Sequence, residues 1–337
     1  MKCKPVKILV TAQFDAGGLD TLRRYGEVEY ASYGEQMRVL AGSKLVKALE
    51  GVTVLVTEVD QVRRQILPHV PQLKAISCCR GTPVNIDLEA ATAHGVPVLT
   101  TPGRNADAVA DLTLLFILAL LRHFSPLSRI LRDPGNGMEK LARVFVQYRG
   151  AELWGKTVGL VGLGAVGRAV AARLLPFGAH VVAYDPHVTA EQASGHGVLL
   201  LSLDELLRQS DIVSLHATVT DEATKLIGER EFALMKKGAY FINTARSALA
   251  DESVLYCALR EGHLAGAALD VFDDEPPSPD HPLLTLDNVI ATPHIGGSTA
   301  EVIIHQSQIA VADLVRLFTG QRPLHCANPE TLANFHW

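Results

Sequence analysis

Val158-Gly-Leu-Val-Gly-Leu-Gly-Ala-Val-Gly167 decides how the rest of this chain is read. An apolar run, Thr157–Val161, stops at Gly162, and an apolar helix-like run, Val166–Pro176, follows at once. Gly162, Gly164 and Gly167 form Gly-x-Gly-x-x-Gly at this strand-to-helix turn. Gly162 permits a tight turn, Gly164 lets the backbone approach a pyrophosphate, and Gly167 lets helix and strand pack closely. The N–H groups of Ala165 and Val166 open the helix and offer donors to a diphosphate. Eighteen residues after Gly167, the next apolar run, His180–Tyr184, ends at Asp185. A carboxylate there accepts from a ribose 2′-hydroxyl and repels a 2′-phosphate, so NAD is the expected cofactor.

Outward from this turn the chain alternates short apolar runs with helical ones. After Gly150 the expected strands are Thr157–Val161, His180–Tyr184, Ile212–Leu215, Ala239–Asn243, Ala265–Val271 and Val289–Thr292. Helices Leu203–Gln209, Glu229–Met235 and Asp251–Glu261 fit between them, and Ser202 with Glu205 makes a capping box. Before residue 100 the same grammar gives strands Lys7–Thr11, Glu27–Ala31, Val52–Val56, Leu73–Cys79 and Val96–Leu99. Helical runs there are Leu19–Tyr25, Ser43–Leu49, Val62–Val70 and Leu88–His94. Continuous β-branched strands separated by helices predict α/β architecture with buried parallel sheets. A long apolar helix, Asn105–His123, a break at Arg132–Gly137 and a last helix, Ala300–Phe318, organise the two halves. The expectation is two doubly wound parallel-sheet domains. A Rossmann dinucleotide-binding domain (residues 105–299) is inserted into a flavodoxin-like substrate domain (residues 1–104 plus 300–337).

Composition limits the function classes. The 337 residues carry 31 Lys plus Arg against 36 Asp plus Glu, a net charge of −5. That balance disfavours a nucleic-acid binder or a basic membrane-surface protein. The ten uncharged residues Leu112–Leu121 fall short of the roughly 20 needed to span a bilayer. The N-terminal apolar stretch is too short for a signal peptide. Five cysteines lack metal-ligand spacing and read as reduced thiols of a cytoplasmic protein, with no metal site expected. Adjacent Cys78 and Cys79 point to opposite faces if the run is extended, which disfavours a mutual disulfide or a shared metal.

Three polar segments follow late strands, where open α/β sheets bind ligands. They are Asn243-Thr-Ala-Arg-Ser247, Asp270-Val-Phe-Asp-Asp-Glu-Pro276 and Thr292-Pro-His-Ile-Gly-Gly-Ser298. Each supplies one chemically capable side chain: Arg246, Glu275 and His294. A guanidinium binds a carboxylate bidentately and polarises a neighbouring carbonyl. An imidazole delivers a proton to that oxygen as hydride arrives, and a carboxylate steadies the imidazolium. The pattern suits hydride transfer at a 2-oxo carboxylate.

At these motifs, and at IDLEAAT, VVAYDP, DIVSLH and MKKGAYFINTARS, the chain resembles the D-isomer-specific 2-hydroxyacid dehydrogenase family over residues 50–300. The resemblance implies Arg246 as substrate ligand, His294 as acid/base and Glu275 as its partner. It implies Asp270 at the nicotinamide amide, with His216, Ala217 and Gly296 also at the cofactor. A homodimer using a small 2-oxo or 2-hydroxy acid is implied, with no nucleic-acid or membrane partner. Two positions depart from the pattern. Ser247 stands where many members have glycine. The first-domain loop reads Cys79-Arg-Gly-Thr-Pro-Val-Asn85, so only Arg80 and Gly81 carry over as substrate contacts. The resemblance to phosphoglycerate dehydrogenases implies a basic residue near the end of the third strand for a phosphate. Val56-Thr-Glu-Val-Asp60 holds two acids and no base there, although Arg63 and Arg64 follow, so a phosphorylated substrate is less favoured. The expected function is an NAD-dependent D-2-hydroxyacid dehydrogenase. The alternatives are a D-3-phosphoglycerate dehydrogenase without a regulatory domain and a non-catalytic NAD-sensing protein.

Overall fold

The computed structural model describes residues 6–130, 138–219, 223–335 and 337; the Arg132–Gly137 break lies outside the described residues. The chain forms two compact units, Met1–Arg104 with Thr299–Trp337, and Asn105–Ser298.

The first unit holds five parallel strands: β1 (Lys7–Val10), β2 (Glu27–Tyr30), β3 (Val54–Thr57), β4 (Ala75–Cys78) and β5 (Val98–Thr100), in the order β2-β1-β3-β4-β5. Every residue of β3, β4 and β5 is buried, as expected of strands covered on both faces, whereas edge strand β2 alternates exposed and half-buried positions. Cys78 packs with Leu45, Leu55 and Val98, and Cys79 with Ile8, Val10 and Leu314 on the other face. Burial pushes the Cys78 thiol up to about 12 and the Cys79 thiol well above its ordinary value.

The helix expected at Val62–Val70 is instead a single 3₁₀ turn, Leu67–His69. Val62 spends its backbone elsewhere: its N–H donates to Asn85 O, and its carbonyl accepts from Asp87 N. Pro68 removes a further helical donor. The closing helix does run Ala300–Phe318, and the Thr299 hydroxyl caps it by accepting from Val302 N at 3.4 Å.

The second unit holds seven parallel strands: β6 (Thr157–Val161), β7 (His180–Tyr184), β8 (Leu199–Leu200), β9 (Ile212–Leu215), β10 (Tyr240–Asn243), β11 (Gly266–Leu269) and β12 (Val289–Ala291). Their order is β12-β11-β10-β9-β6-β7-β8. The chain builds outward from β6 through β8, then returns to β9 on the other side of β6. The reversal makes a topological switch point between β6 and β9, where the carboxyl ends of doubly wound sheets receive ligands. Strand β8, two residues long, escapes a reading by sequence because so short a run has no periodicity. Helix Ala106–Leu121 buries Val109, Ala110, Phe116, Ile117 and Leu120 and packs against the helix Ala165–Leu174. Among the described residues no single helix is long and apolar enough to cross a membrane. The capping box before Leu203–Gln209 forms: Glu205 N donates to Ser202 Oγ, and Ser202 N to Glu205 Oε2.

Candidate active site

At the turn after β6, the three glycines answer three separate demands. Gly162 has φ +101°, and a Cβ there would lie 2.6 Å from Ala217 N. A Cβ on Gly167 would lie 2.2 Å from Gly162 O, so only hydrogen fits where the helix crosses the turn. Around Gly164 a Cβ would meet nothing within 4 Å. That open space fronts the Ala165–Leu174 helix, whose first N–H groups have no side-chain cap. An exposed, uncapped helix start with room for close approach fits a diphosphate, and the residues present therefore fit a dinucleotide.

Asp185 stands directly after β7. Its Oδ2 accepts from Leu163 N at 2.8 Å and its Oδ1 from His187 N at 2.9 Å. The carboxylate thus braces the glycine turn, and each oxygen keeps a lone pair for a further donor. His216, at the end of β9, lies against the same turn: its N–H donates to Val161 O at 2.7 Å. Its Nε2 lies 2.9 Å from Ser214 Oγ, while Nδ1 is buried with no partner among the described residues. Burial lowers this imidazole to about 3, which keeps it uncharged beside the glycine turn. Ala217 follows, half-buried and in contact range of Gly162.

The catalytic candidates sit past three adjacent strands, β10, β11 and β12, whose ends are in register: Asn243 beside Leu269, and Leu269 beside Ala291. Arg246 is exposed, and its Nη1 donates to Ala245 O at 2.6 Å. Buried Asn243 shapes the turn beneath it. Its Nδ2 donates to Arg246 O at 2.9 Å and its Oδ1 accepts from Ala245 N at 3.0 Å. Sequence reasoning missed this role, although Asn at a strand end is the usual residue for such a turn.

His294 Nδ1 lies 2.7 Å from Glu275 Oε2. An ionised carboxylate only accepts, so Nδ1 carries the proton and Nε2 is the nitrogen left to exchange one. Side-chain exposures of 45% for His294 and 40% for Glu275 keep the pair open to a reactant. Glu275 Oε1 accepts from Phe272 N at 3.3 Å, which ties the carboxylate back to its own loop. His294 itself has φ +55°, the left-handed region.

Asp270 explains that backbone. It is 1% exposed. Its Oδ1 accepts from Thr292 Oγ1 at 2.6 Å and Ile295 N at 2.8 Å, and its Oδ2 accepts from Gly296 N at 2.7 Å. The carboxylate grips the chain on both sides of His294, so most of its accepting capacity is spent on the loop. The family resemblance aims Asp270 at a nicotinamide amide and gives no sign of this grip. Gly296 is also accounted for, since a Cβ there would lie 2.9 Å from Asp270 Oδ2.

In the first unit, Arg80 Nε donates to Glu58 O at 2.6 Å, a tether to the turn after β3. A Cβ on Gly81 would meet only Pro102 Cα at 3.6 Å, so no crowding requires glycine there. Glu58 is nearly buried and pairs with Arg104 Nη2 at 2.9 Å. Asp60 accepts from Thr11 Oγ1, Thr57 Oγ1 and Leu40 N.

Comparison with known proteins identifies the family. Residues 114–296 match the family model described as D-isomer specific 2-hydroxyacid dehydrogenase, NAD binding domain. The chain is similar to the YoaD protein of Bacillus subtilis, at 38% identity over 97% of this chain and 94% of that protein. It is 37% identical to the D-3-phosphoglycerate dehydrogenase of Methanocaldococcus jannaschii, over 94% of this chain but only 58% of that enzyme's length. Among solved structures, the TT0316 protein of Thermus thermophilus superposes with a TM-score of 0.81. It is 37% identical, and the match covers 96% of this chain and all of that one. The chain belongs to the D-isomer specific 2-hydroxyacid dehydrogenase family, whose oxidoreductases work with a nicotinamide dinucleotide.

Proposed function

We propose that the protein interconverts a small, unphosphorylated 2-oxo acid and the corresponding D-2-hydroxy acid, with NAD(H) as its cofactor. The observation that carries this reading is the Glu275–His294 pair, 2.7 Å apart, with no partner on the second imidazole nitrogen among the described residues. When bound, the nicotinamide supplies or takes up the hydride at C2. His294 gives a proton to the C2 oxygen in reduction and takes the hydroxyl proton in oxidation. Glu275 keeps Nδ1 as its donor in both directions, and its carboxylate offsets the imidazolium charge. Nε2 therefore carries the transferred proton in the imidazolium before reduction, and is free to take one in the neutral ring before oxidation. Arg246 binds the substrate carboxylate and draws electron density from the neighbouring carbonyl. Arg80 and Gly81 are the first-unit candidates for further substrate contact, with one of Arg80's five donors already committed to Glu58 O.

Two features support the unphosphorylated substrate and NAD. The turn after β3 holds Glu58 and Asp60, both acids, and Arg104 beside it is already paired with the Glu58 carboxylate at 2.9 Å. Asp185 puts a carboxylate where a 2′-phosphate would need a cation. An NADH-oxidation screen over glyoxylate, hydroxypyruvate, pyruvate, 2-oxoglutarate, phenylpyruvate and 3-phosphohydroxypyruvate tests the substrate class. Turnover only with the phosphorylated acid overturns it. In the same assay Asp185→Ala should raise the NADPH/NADH ratio of kcat/KM by about tenfold, equivalent to ~1.4 kcal/mol; an unchanged ratio removes the basis for NAD.

A homodimer fits the exposed apolar side chains of the second unit. Leu115 (57%), Phe124 (65%), Phe145 (78%) and Trp154 (75%) are exposed there, apolar surface that a partner would cover. Light scattering should give twice the mass of 36.3 kDa, and a monomer at micromolar concentration rejects the dimer. The free thiols of Cys78, Cys79, Cys257 and Cys326 support a reducing, cytoplasmic setting.

A further inference from the structure

The second unit contains another carboxylate–imidazole pair, and the proposed chemistry does not use it. Glu252 opens the helix Glu252–Arg260, and its Oε2 lies 3.2 Å from His281 Nε2. Its other oxygen, Oε1, accepts from Asp273 N at 2.8 Å. These two contacts fall at opposite ends of the 272–281 loop, the segment that carries Glu275. Both partners are largely shielded, with side-chain exposures of 21% for His281 and 15% for Glu252. The loop's start and finish also meet directly, because the Phe272 ring packs edge-on against the His281 ring with centroids 5.5 Å apart.

Two successive backbone N–H groups connect the two pairs. Asp273 N is held by Glu252, and the adjacent Phe272 N donates to Glu275 Oε1 at 3.3 Å. Glu275 Oε2 then receives His294 Nδ1. We propose that Glu252 and His281 are positioning residues: they close the 272–281 loop on the helix Glu252–Arg260 and so fix Glu275 where it orients His294. The inference rests on the reading of Glu275–His294 as the proton-transfer pair.

A half-buried hydrogen-bonded pair can also do no more than stabilise the fold. Geometry favours the positioning role, because Glu252 grips the backbone one residue from the N–H that orients Glu275. Burial and the neighbouring charge of Asp273 push the Glu252 carboxyl up. That carboxyl therefore gains from having both oxygens occupied by donors.

The test is a double-mutant cycle on the full chain, with NADH and glyoxylate or hydroxypyruvate as probes. Glu252→Ala should lower kcat by about 10²-fold, the scale expected when a catalytic group is misplaced by about 1 Å. KM for NADH should stay within about twofold, since Glu252 does not touch the glycine turn. Glu252→Gln should recover most of kcat, because the amide oxygen still accepts from Asp273 N. Glu252→Ala/Glu275→Ala should be no slower than Glu275→Ala alone, because the first residue acts through the second. A multiplicative loss in the double variant overturns the proposal, as does a Glu252→Ala variant that melts early but turns over at the parent rate. If Glu275→Ala itself leaves turnover unchanged, the proton-transfer reading fails instead, and the two failures are distinct. A readout that needs no substrate is the downfield ¹H resonance of the His294 Nδ1 proton, assigned by its loss in Glu275→Ala. It should vanish in Glu252→Ala and persist in Glu252→Gln; persistence in both overturns the inference.

Discussion

Turnover of the His294→Ala variant should fall by about 10²–10⁴-fold with NADH affinity close to the parent's, because alanine removes proton transfer and leaves the glycine turn intact. The backbone adds a complication that the structure makes testable. His294 sits at φ +55°, where alanine is less at ease than asparagine. The Asp270 grip on Ile295 N and Gly296 N must then hold the loop against that preference. His294→Asn tolerates the left-handed backbone yet cannot shuttle a proton, so it should be as slow as His294→Ala. Stopped-flow NADH oxidation and fluorescence titration of NADH separate the two quantities. An active asparagine variant beside an inactive alanine one would assign the loss to loop collapse and remove His294 from the proton's path.

Gly164→Val and Gly167→Ala should fail in opposite ways although they lie three residues apart. At Gly164 the backbone is extended, φ −70° and ψ −157°, and the space around a Cβ is empty. The valine variant should therefore fold with an unchanged melting temperature and lose about 100-fold in NADH affinity, because its side chain fills the approach to the helix start. At Gly167 even one methyl group meets Gly162 O at 2.2 Å. That clash should cost about 3 kcal/mol or more and lower the melting temperature before binding is considered. Thermal melts paired with NADH titrations read both variants. A Gly164→Val protein that binds NADH as tightly as the parent would place the dinucleotide elsewhere.

How much the sequence tells depends on whether a feature is local. Thr157–Val161 and His180–Tyr184 are legible with their observed bounds, because buried parallel strands are continuous apolar runs. The glycine roles are equally legible, since each follows from backbone geometry at one turn. Glu275, Arg246 and His294 stand out by their places after strands, and side-chain chemistry suggests the roles that the resemblance then implies. What the sequence withholds is non-local. Val62–Val70 looks helical by spacing, but its first backbone groups are spent on Asn85 and Asp87. The Asp270 grip on residues 292–296 and the Glu252 grip on Asp273 join segments about twenty residues apart. A single sequence, with one charged residue looking like another, has no mark for such pairings. Asn243 lies in plain view and is easily passed over, because its work is done on the backbone of the arginine that draws attention.

The bare amino end of the Ala165–Leu174 helix has a bearing beyond recognition. A helix that starts without a side-chain lid leaves its leading amides to water, and a diphosphate seated there finishes the helix as a serine or threonine would elsewhere. The dinucleotide then counts among the molecule's own structural parts. Resistance to heat, and to proteolysis of this unit, should track the supply of dinucleotide around it, so that starvation of the cofactor pool shortens the protein's lifetime as well as idling its chemistry.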